Sequence, residues 1–213
     1  MLYSASYDDT VKVWAEEGGD WYCAATLVSN TSLPLSIPSA VPTIGPVHTS
    51  TVWSLGLAPS GVRLFSGSED GSVAVWRMYT AAERKTLFPA STATAVCSTD
   101  GLWRCVGRIP DAHNTYAVLS VDCAPSCAGH GRLASGGGDN SIRVYREETL
   151  LPPSAADGEG SRADAPVFTL EAVRENAHAG DVNCVRWHPR DGAHLVSCGD
   201  DGTVKLWRYR RGG

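Results

Sequence analysis

No stretch of the 213-residue chain approaches the ~18 to 20 consecutive apolar residues that a membrane-spanning helix requires. The N-terminus, MLYSASYDD, sets two aspartates where a signal peptide needs its apolar region. Both absences predict a soluble, unexported protein. Positive charge is scarce as well. No basic stretch precedes the terminal RYRRGG and the net charge is −5, so the electrostatic footprint for a phosphate backbone is missing and nucleic acid is not expected as the main partner. Lysine supplies only 3 of the 18 basic residues and glutamine is absent, a bias without functional content. The seven cysteines are an odd number at unequal spacings, which fits reduced thiols better than a disulfide framework and predicts a cytosolic or nuclear compartment. What remains, with 43% hydrophobic and 19% charged residues, is too apolar for a disordered chain and sufficient for one or two domains.

An internal repeat organises the chain. Four thirteen-residue segments superpose without a gap: LYSASYDDTVKVW (2–14), LFSGSEDGSVAVW (64–76), LASGGGDNSIRVY (133–145) and LVSCGDDGTVKLW (195–207). In each, apolar residues alternate on both sides of an Asp-Asp, Asp-Gly or Asp-Asn step that tolerates hairpin-turn backbone, which predicts four β-hairpins. Ahead of three of them lies a strand-like segment opening on a histidine: HTSTVWSLGLAP from His48, HNTYAVLSVDCAP from His113 and HAGDVNCVRWHP from His178. After the first two hairpins comes a fourth segment, WYCAATL from Trp21 and WRCVGRI from Trp103, with VFTL from Val167 as its counterpart in the third. Four strands per unit is the blade of a β-propeller. The hairpins end at 14, 76, 145 and 207, intervals of 62, 69 and 62, whereas a bare unit needs ~40 to 45 residues. The surplus falls in 28–47, about 80–100 and about 147–166, rich in Pro, Ser, Thr, Ala and Gly without strand alternation and expected as surface loops.

His48, Ser66, Asp70 and Trp76 recur in register as His178, Ser197, Asp201 and Trp207, and as His113, Ser135, Asp139 and Tyr145. Serine, histidine and aspartate together suggest a hydrolase in which the serine attacks, the histidine takes its proton and the aspartate orients the ring. The structural alternative is a buried chain of hydrogen bonds from indole to serine to histidine to turn aspartate, locking one blade together. Repetition favours the second, because an enzyme needs one nucleophile in one cleft and here the set occurs three times. The first hairpin has Ser4, Asp8 and Trp14 but no histidine.

These units resemble WD repeats, with Trp closing three hairpins and Tyr145 the other; the final Asp of that family's dipeptide is replaced by Ala15 after Trp14 and by Arg after Trp76 and Trp207. The stretches SASYDDTVKVW, GGDWYCAATL, HTSTVWSL, LWRCVGRI, HAGDVNCVRWHP and SCGDDGTVKLW are similar, in order, to the C-terminal half of the WD-repeat family of cytosolic iron–sulfur cluster assembly, the Trp-x-Cys at Trp21/Cys23 and Trp103/Cys105 being the more specific part. The resemblance implies an all-β propeller with about four blades present, the first incomplete, out of a ring of seven, so that 1–213 is a partial ring lacking N-terminal blades and exposing the apolar faces of its end blades. It further implies a non-enzymatic scaffold in a late targeting complex, with a small acidic partner and a large helical-repeat scaffold, that helps deliver clusters to client apoproteins. A WD-repeat adaptor with another client, such as a ubiquitin-ligase substrate receptor or chromatin adaptor, is the alternative, and a hydrolase a distant third.

No catalytic residue, metal or cofactor is assigned. An iron–sulfur site commonly needs four converging thiolates. Cys23, Cys105, Cys184 and Cys198 fall instead at strand positions, where a free cysteine packs as a small apolar residue. Cys127, beside His130 in a loop, is the best single candidate for a reactive thiol. Partner contacts are expected on one propeller rim, at positions beside the hairpin aspartate (Tyr7, Glu69, Gly138, Asp200) and near the start of the histidine strand, read as the outermost (Trp53, Leu119, Asn183). Of these Tyr7, Trp53, Glu69 and Asn183 are the candidates, and the two aromatics the natural anchors.

Overall fold

The computed structural model describes residues 1–27, 47–83, 102–125, 131–148 and 166–210. Four antiparallel sheets follow one another along the chain. The first holds β1 (Leu2–Ala5), β2 (Val11–Glu17) and β3 (Asp20–Leu27). The second holds β4 (Val52–Leu57), β5 (Arg63–Ser68), β6 (Val73–Tyr79) and β7 (Leu102–Ile109). After the short β8 (Ala112–Thr115), the third holds β9 (Val118–Cys123), β10 (Arg132–Gly137), β11 (Ile142–Glu148) and β12 (Val167–Arg174). The fourth holds β13 (Val182–Trp187), β14 (His194–Gly199) and β15 (Val204–Arg208). Within each, strand order follows the sequence, so every sheet is an up-and-down meander. Such blades set side by side make a β-propeller. No described helix is long and apolar enough to cross a membrane.

The repeat dictates the local geometry. The residue after each hairpin aspartate has a left-handed backbone, with φ of 64° at Asp9, 77° at Gly71, 62° at Asn140 and 71° at Gly202. That conformation suits Gly, Asn and Asp and few others, which is why the variable second residue of the step stays within that set. In the first three sheets the last strand slips register beside the closing aromatic, between Val13 and Trp14, Val75 and Trp76, and Val144 and Tyr145. A bulge there adds twist to the outer edge of the blade. It also brings the Trp-x-Cys strand into one alignment twice, Cys23 opposite Trp14 and Cys105 opposite Trp76.

The histidine strands are the innermost strands, not the outermost. Each of β4, β9 and β13 forms one edge of its sheet, and β9 lies between the other two, against both β4 and β13. Sequence alternation shows that a strand has a buried face but not which edge of its blade it occupies.

Apolar burial runs between blades. Val11 and Val13 of the first pack with Leu64, Ala74 and Trp76 of the second; Phe65, Val73 and Val75 of the second pack with Val118, Val121 and Leu133 of the third. Outer-strand aromatics lock the same joints, Trp103 edge-on to Tyr3 at 5.5 Å and Phe168 edge-on to Phe65 at 5.6 Å. Close approach demands glycine at two inner positions. A Cβ on Gly67 would lie 2.8 Å from Val118 Cγ1, and one on Gly136 would lie 2.7 Å from Val182 Cγ1. In the fourth blade Val204 and Leu206, the register counterparts of the fully buried Val73 and Val75, are 73% and 76% exposed, because no described residue covers that face. The three expected insertions lie almost wholly outside the described residues, as do Cys127 and His130.

Candidate functional site

Three histidine networks form. In the second blade His48 Nε2 lies 2.7 Å from Ser66 Oγ and Nδ1 lies 3.1 Å from Asp70, while Trp76 Nε1 donates to Ser66 Oγ at 2.9 Å. In the fourth the corresponding distances are 2.7 Å (His178 to Ser197), 2.8 Å (His178 to Asp201) and 2.7 Å (Trp207 to Ser197). One proton arrangement satisfies every group: Nδ1–H donates to the aspartate, Nε2 accepts from the serine hydroxyl, and the serine oxygen accepts from the indole.

The third blade departs from this pattern. His113 lies 2.8 Å from Ser135 Oγ and 2.7 Å from Asp139, but the Tyr145 hydroxyl donates to the Ala112 carbonyl at 2.6 Å. A phenol reaches further from the backbone than an indole N–H, so it passes the serine and ties the blade to the start of β8 instead. In the first blade Trp14 donates to Ser4 at 2.9 Å and Asp8 turns to Thr10 at 2.6 Å.

Sequence reasoning missed one recurrent member. In all four hairpins the aspartate also accepts from a hydroxyl two residues on, from Thr10, Ser72, Ser141 and Thr203, at 2.5 to 2.7 Å. The signal was present as Asp-x-Ser/Thr. This bond closes the turn, and in the last three hairpins the same carboxylate also holds the histidine ring. Burial by itself raises Asp70 and Asp139, but hydrogen bonds from the histidine and the following serine outweigh it and hold both carboxyls below the usual range. Asp201 is lowered in the same direction, chiefly by His178 and then Thr203.

The three histidines and Ser66, Ser135 and Ser197 are at most 2% exposed, so no serine oxygen faces a space that a substrate could enter. Among the described residues no three His, Cys, Asp or Glu side chains are grouped to hold a metal ion. Cys105 packs beside the first inter-blade cluster, and burial pushes its thiol up. Cys23, expected as a packed strand residue, is instead exposed, because no described residue covers that face of the first blade.

The rim candidates occupy one edge of neighbouring blades. Ser6 O accepts from Val52 N–H at 3.0 Å, so Tyr7 and Trp53 each follow directly on a residue of this inter-blade bond. Tyr7 is 83% exposed. Trp53 remains 50% exposed although its Nε1 donates to Glu69 Oε2 at 2.7 Å. The equivalent pair in the fourth blade is bonded as well, Asn183 Nδ2 to Asp200 Oδ1 at 2.6 Å. In the third blade Leu119 is half-buried, and the position beside the aspartate is Gly138. A Cβ there would meet Tyr116 Cβ at 3.7 Å, so the exposed Tyr116, which sequence register passed over, occupies that stretch of rim. The single residue by which HNTYAV exceeds HTSTV was its only signal.

Comparison with known proteins bears on this architecture directly. The profile of the WD domain, G-beta repeat family matches residues 42–77, 103–146 and 166–208, more than half of the chain. The chain belongs to the WD-repeat family. It is also similar to proteins named "Probable cytosolic iron-sulfur protein assembly protein Ciao1". Identity to the one from Aedes aegypti is 33% over 203 residues, covering 94% of this chain and 48% of the relative. The Chlamydomonas reinhardtii homolog is 35% identical over 200 residues (91% and 48%), and the Rattus norvegicus protein 38% over 137 residues (64% and 34%). This WD-repeat chain thus spans about half the length of the curated relatives it resembles over most of its own.

Proposed function

We propose that this WD-repeat chain is a protein-binding scaffold of cytosolic iron–sulfur protein assembly and catalyses no reaction. The observation that carries the reading is the similarity to Ciao1 proteins across up to 94% of the chain. The burial of Ser66, Ser135 and Ser197 inside their networks supports binding over serine chemistry. In this role the chain works in the cytoplasm, with the nucleus as a second compartment. It joins a targeting complex with a small acidic protein and a large helical-repeat scaffold, and meets client apoproteins rather than nucleic acid or membrane.

The rim around Tyr7 and Trp53 is the proposed contact surface. Trp53 presents a large apolar face whose orientation Glu69 already fixes, so less rotamer freedom is lost on binding. Affinity capture of the tagged chain from its own cells tests the role. Recovery of iron–sulfur assembly proteins is expected, and recovery of ubiquitin-ligase or chromatin components in their place overturns it. The Tyr7→Ala/Trp53→Ala double variant should weaken capture about 30-fold, the scale of a lost anchor, with the melting temperature nearly unchanged. Undiminished capture refutes the surface.

A further inference from the structure

At two register positions the fourth blade breaks the pattern shared by the second and third. On the inner pair of strands Ser54 faces Gly67 in the second blade and Ser120 faces Gly136 in the third; in the fourth, Cys184 faces Cys198. Both elsewhere serve the joint with the next blade. Ser54 Oγ accepts from Val121 N–H and Ser120 Oγ from Val185 N–H, each at 3.0 Å. The glycines admit the next blade's valine, which a Cβ would strike. At the fourth blade neither duty applies among the described residues, and both positions carry a thiol.

The two cysteines are directly opposed across an antiparallel pair, where Cα atoms stand ~4.5 to 5.5 Å apart, inside the ~4.4 to 6.8 Å span of disulfides. Their side chains share a face with Val196, Val204 and Leu206, all exposed, and both thiols are part-exposed, so a small reagent reaches them. We propose that Cys184 and Cys198 form a dithiol site that closes to a cross-strand disulfide by exchange with a low-molecular-weight disulfide such as oxidised glutathione. One thiolate attacks the small disulfide and releases one thiol. The second attacks the resulting mixed disulfide, forming the Cys184–Cys198 bond and releasing the other thiol, so two protein thiols are oxidised and one small disulfide is reduced to two thiols. Burial and then the neighbouring Cys184 push the Cys198 thiol up against the opposing charge of Arg186, so exchange quickens as pH rises from 7 to 9.

The test equilibrates the full chain with mixtures of reduced and oxidised glutathione at pH 8, quenches with acid, alkylates free thiols and maps the tryptic peptides without reduction. The expected product links the peptide of Cys184 to that of Cys198, with a single midpoint along the glutathione series, while Cys105 and Cys123 stay alkylated. Alkylation of both cysteines throughout, a persistent glutathione adduct on either, or linkage of either to another cysteine overturns the proposal. As a second measurement the reduced chain should bind phenylarsine oxide, which needs two adjacent thiols, and both Cys184→Ser and Cys198→Ser should lose that binding. Retention in either variant refutes the pairing.

Discussion

Ser66→Ala and Ser135→Ala are the same substitution at equivalent positions of two adjacent blades, yet the geometry assigns them different costs. Ser66 Oγ serves two buried groups, accepting from Trp76 Nε1 and donating to His48 Nε2. Its removal strands both, with Trp76 and His48 only 2% and 1% exposed. A buried polar group left without a partner costs ~1 to 3 kcal/mol, so Ser66→Ala should cost about 2 to 6 kcal/mol. Ser135 serves only His113, because the Tyr145 hydroxyl bonds the Ala112 carbonyl; its removal strands one group, at about 1 to 3 kcal/mol. In a chain of this size 1 kcal/mol moves the melting temperature by ~2 to 4 °C, so drops of roughly 12 °C and 6 °C are expected at the middle of these ranges. Urea unfolding followed by tryptophan fluorescence, with the slope unchanged, together with calorimetry measures both. Trp76→Phe supplies the internal control: with the indole donor gone, Ser66→Ala should cost about as little as Ser135→Ala, a coupling of ~1 to 3 kcal/mol. An equal or larger loss for Ser135→Ala, or no coupling to Trp76, refutes the reasoning.

Two further outcomes follow from the same contacts. Asp70 and Asp139 titrate lower in the folded chain than the ~3.9 of an unfolded aspartate, so below neutral pH the unfolded state binds more protons. Their stabilisation is therefore complete above about pH 5 and is lost as pH falls through 4 towards the folded values. The urea midpoint should drop steeply between pH 5 and 2, and Asp70→Asn or Asp139→Asn should flatten that limb; unchanged limbs would show that other carboxylates govern it. Gly136→Ala should destabilise by ~1 to 3 kcal/mol, as its Cβ meets Val182 Cγ1 at 2.7 Å and the Val182 carbonyl at 3.0 Å. A urea midpoint equal to wild type would mean that the third and fourth blades are not in contact there.

Much of this fold was legible because it repeats. One hairpin with an Asp-Gly step is weak evidence, but four superposable copies made strand, turn and closing aromatic mutually supporting. Each histidine finds its serine and aspartate within 3.1 Å because serine and aspartate stand four residues apart in every hairpin and the histidine enters just ahead of the strand paired with that hairpin. Features set by contacts between blades were not legible. Alternation along HTSTVWSL cannot say which edge of the blade that strand takes, which depends on β9 lying between β4 and β13. Nor could register tell that Tyr145 leaves Ser135, since that depends on where the Ala112 carbonyl sits relative to a longer side chain.

The same distinction explains why the fourth blade is the informative one. Inside the stack, sequence at the joint is constrained from both sides. Gly67 and Gly136 are held small by the valine that follows, and Ser54 and Ser120 are held polar by an N–H that needs an acceptor. On the fourth blade these constraints are absent among the described residues, while the constraint within the blade persists: Ser197 still bonds His178 and Trp207. Where the second and third blades pair a serine with a glycine, the fourth pairs Cys184 with Cys198. The face carries Cys184, Cys198, Val196, Val204 and Leu206, a mostly apolar set that no described residue covers, without the serine and glycine that fit the joint of the inner blades. Whatever meets this face must therefore accommodate two thiols where the inner joints accommodate a serine and a glycine, and a valine placed as Val118 is placed over Gly67 would not fit over Cys198.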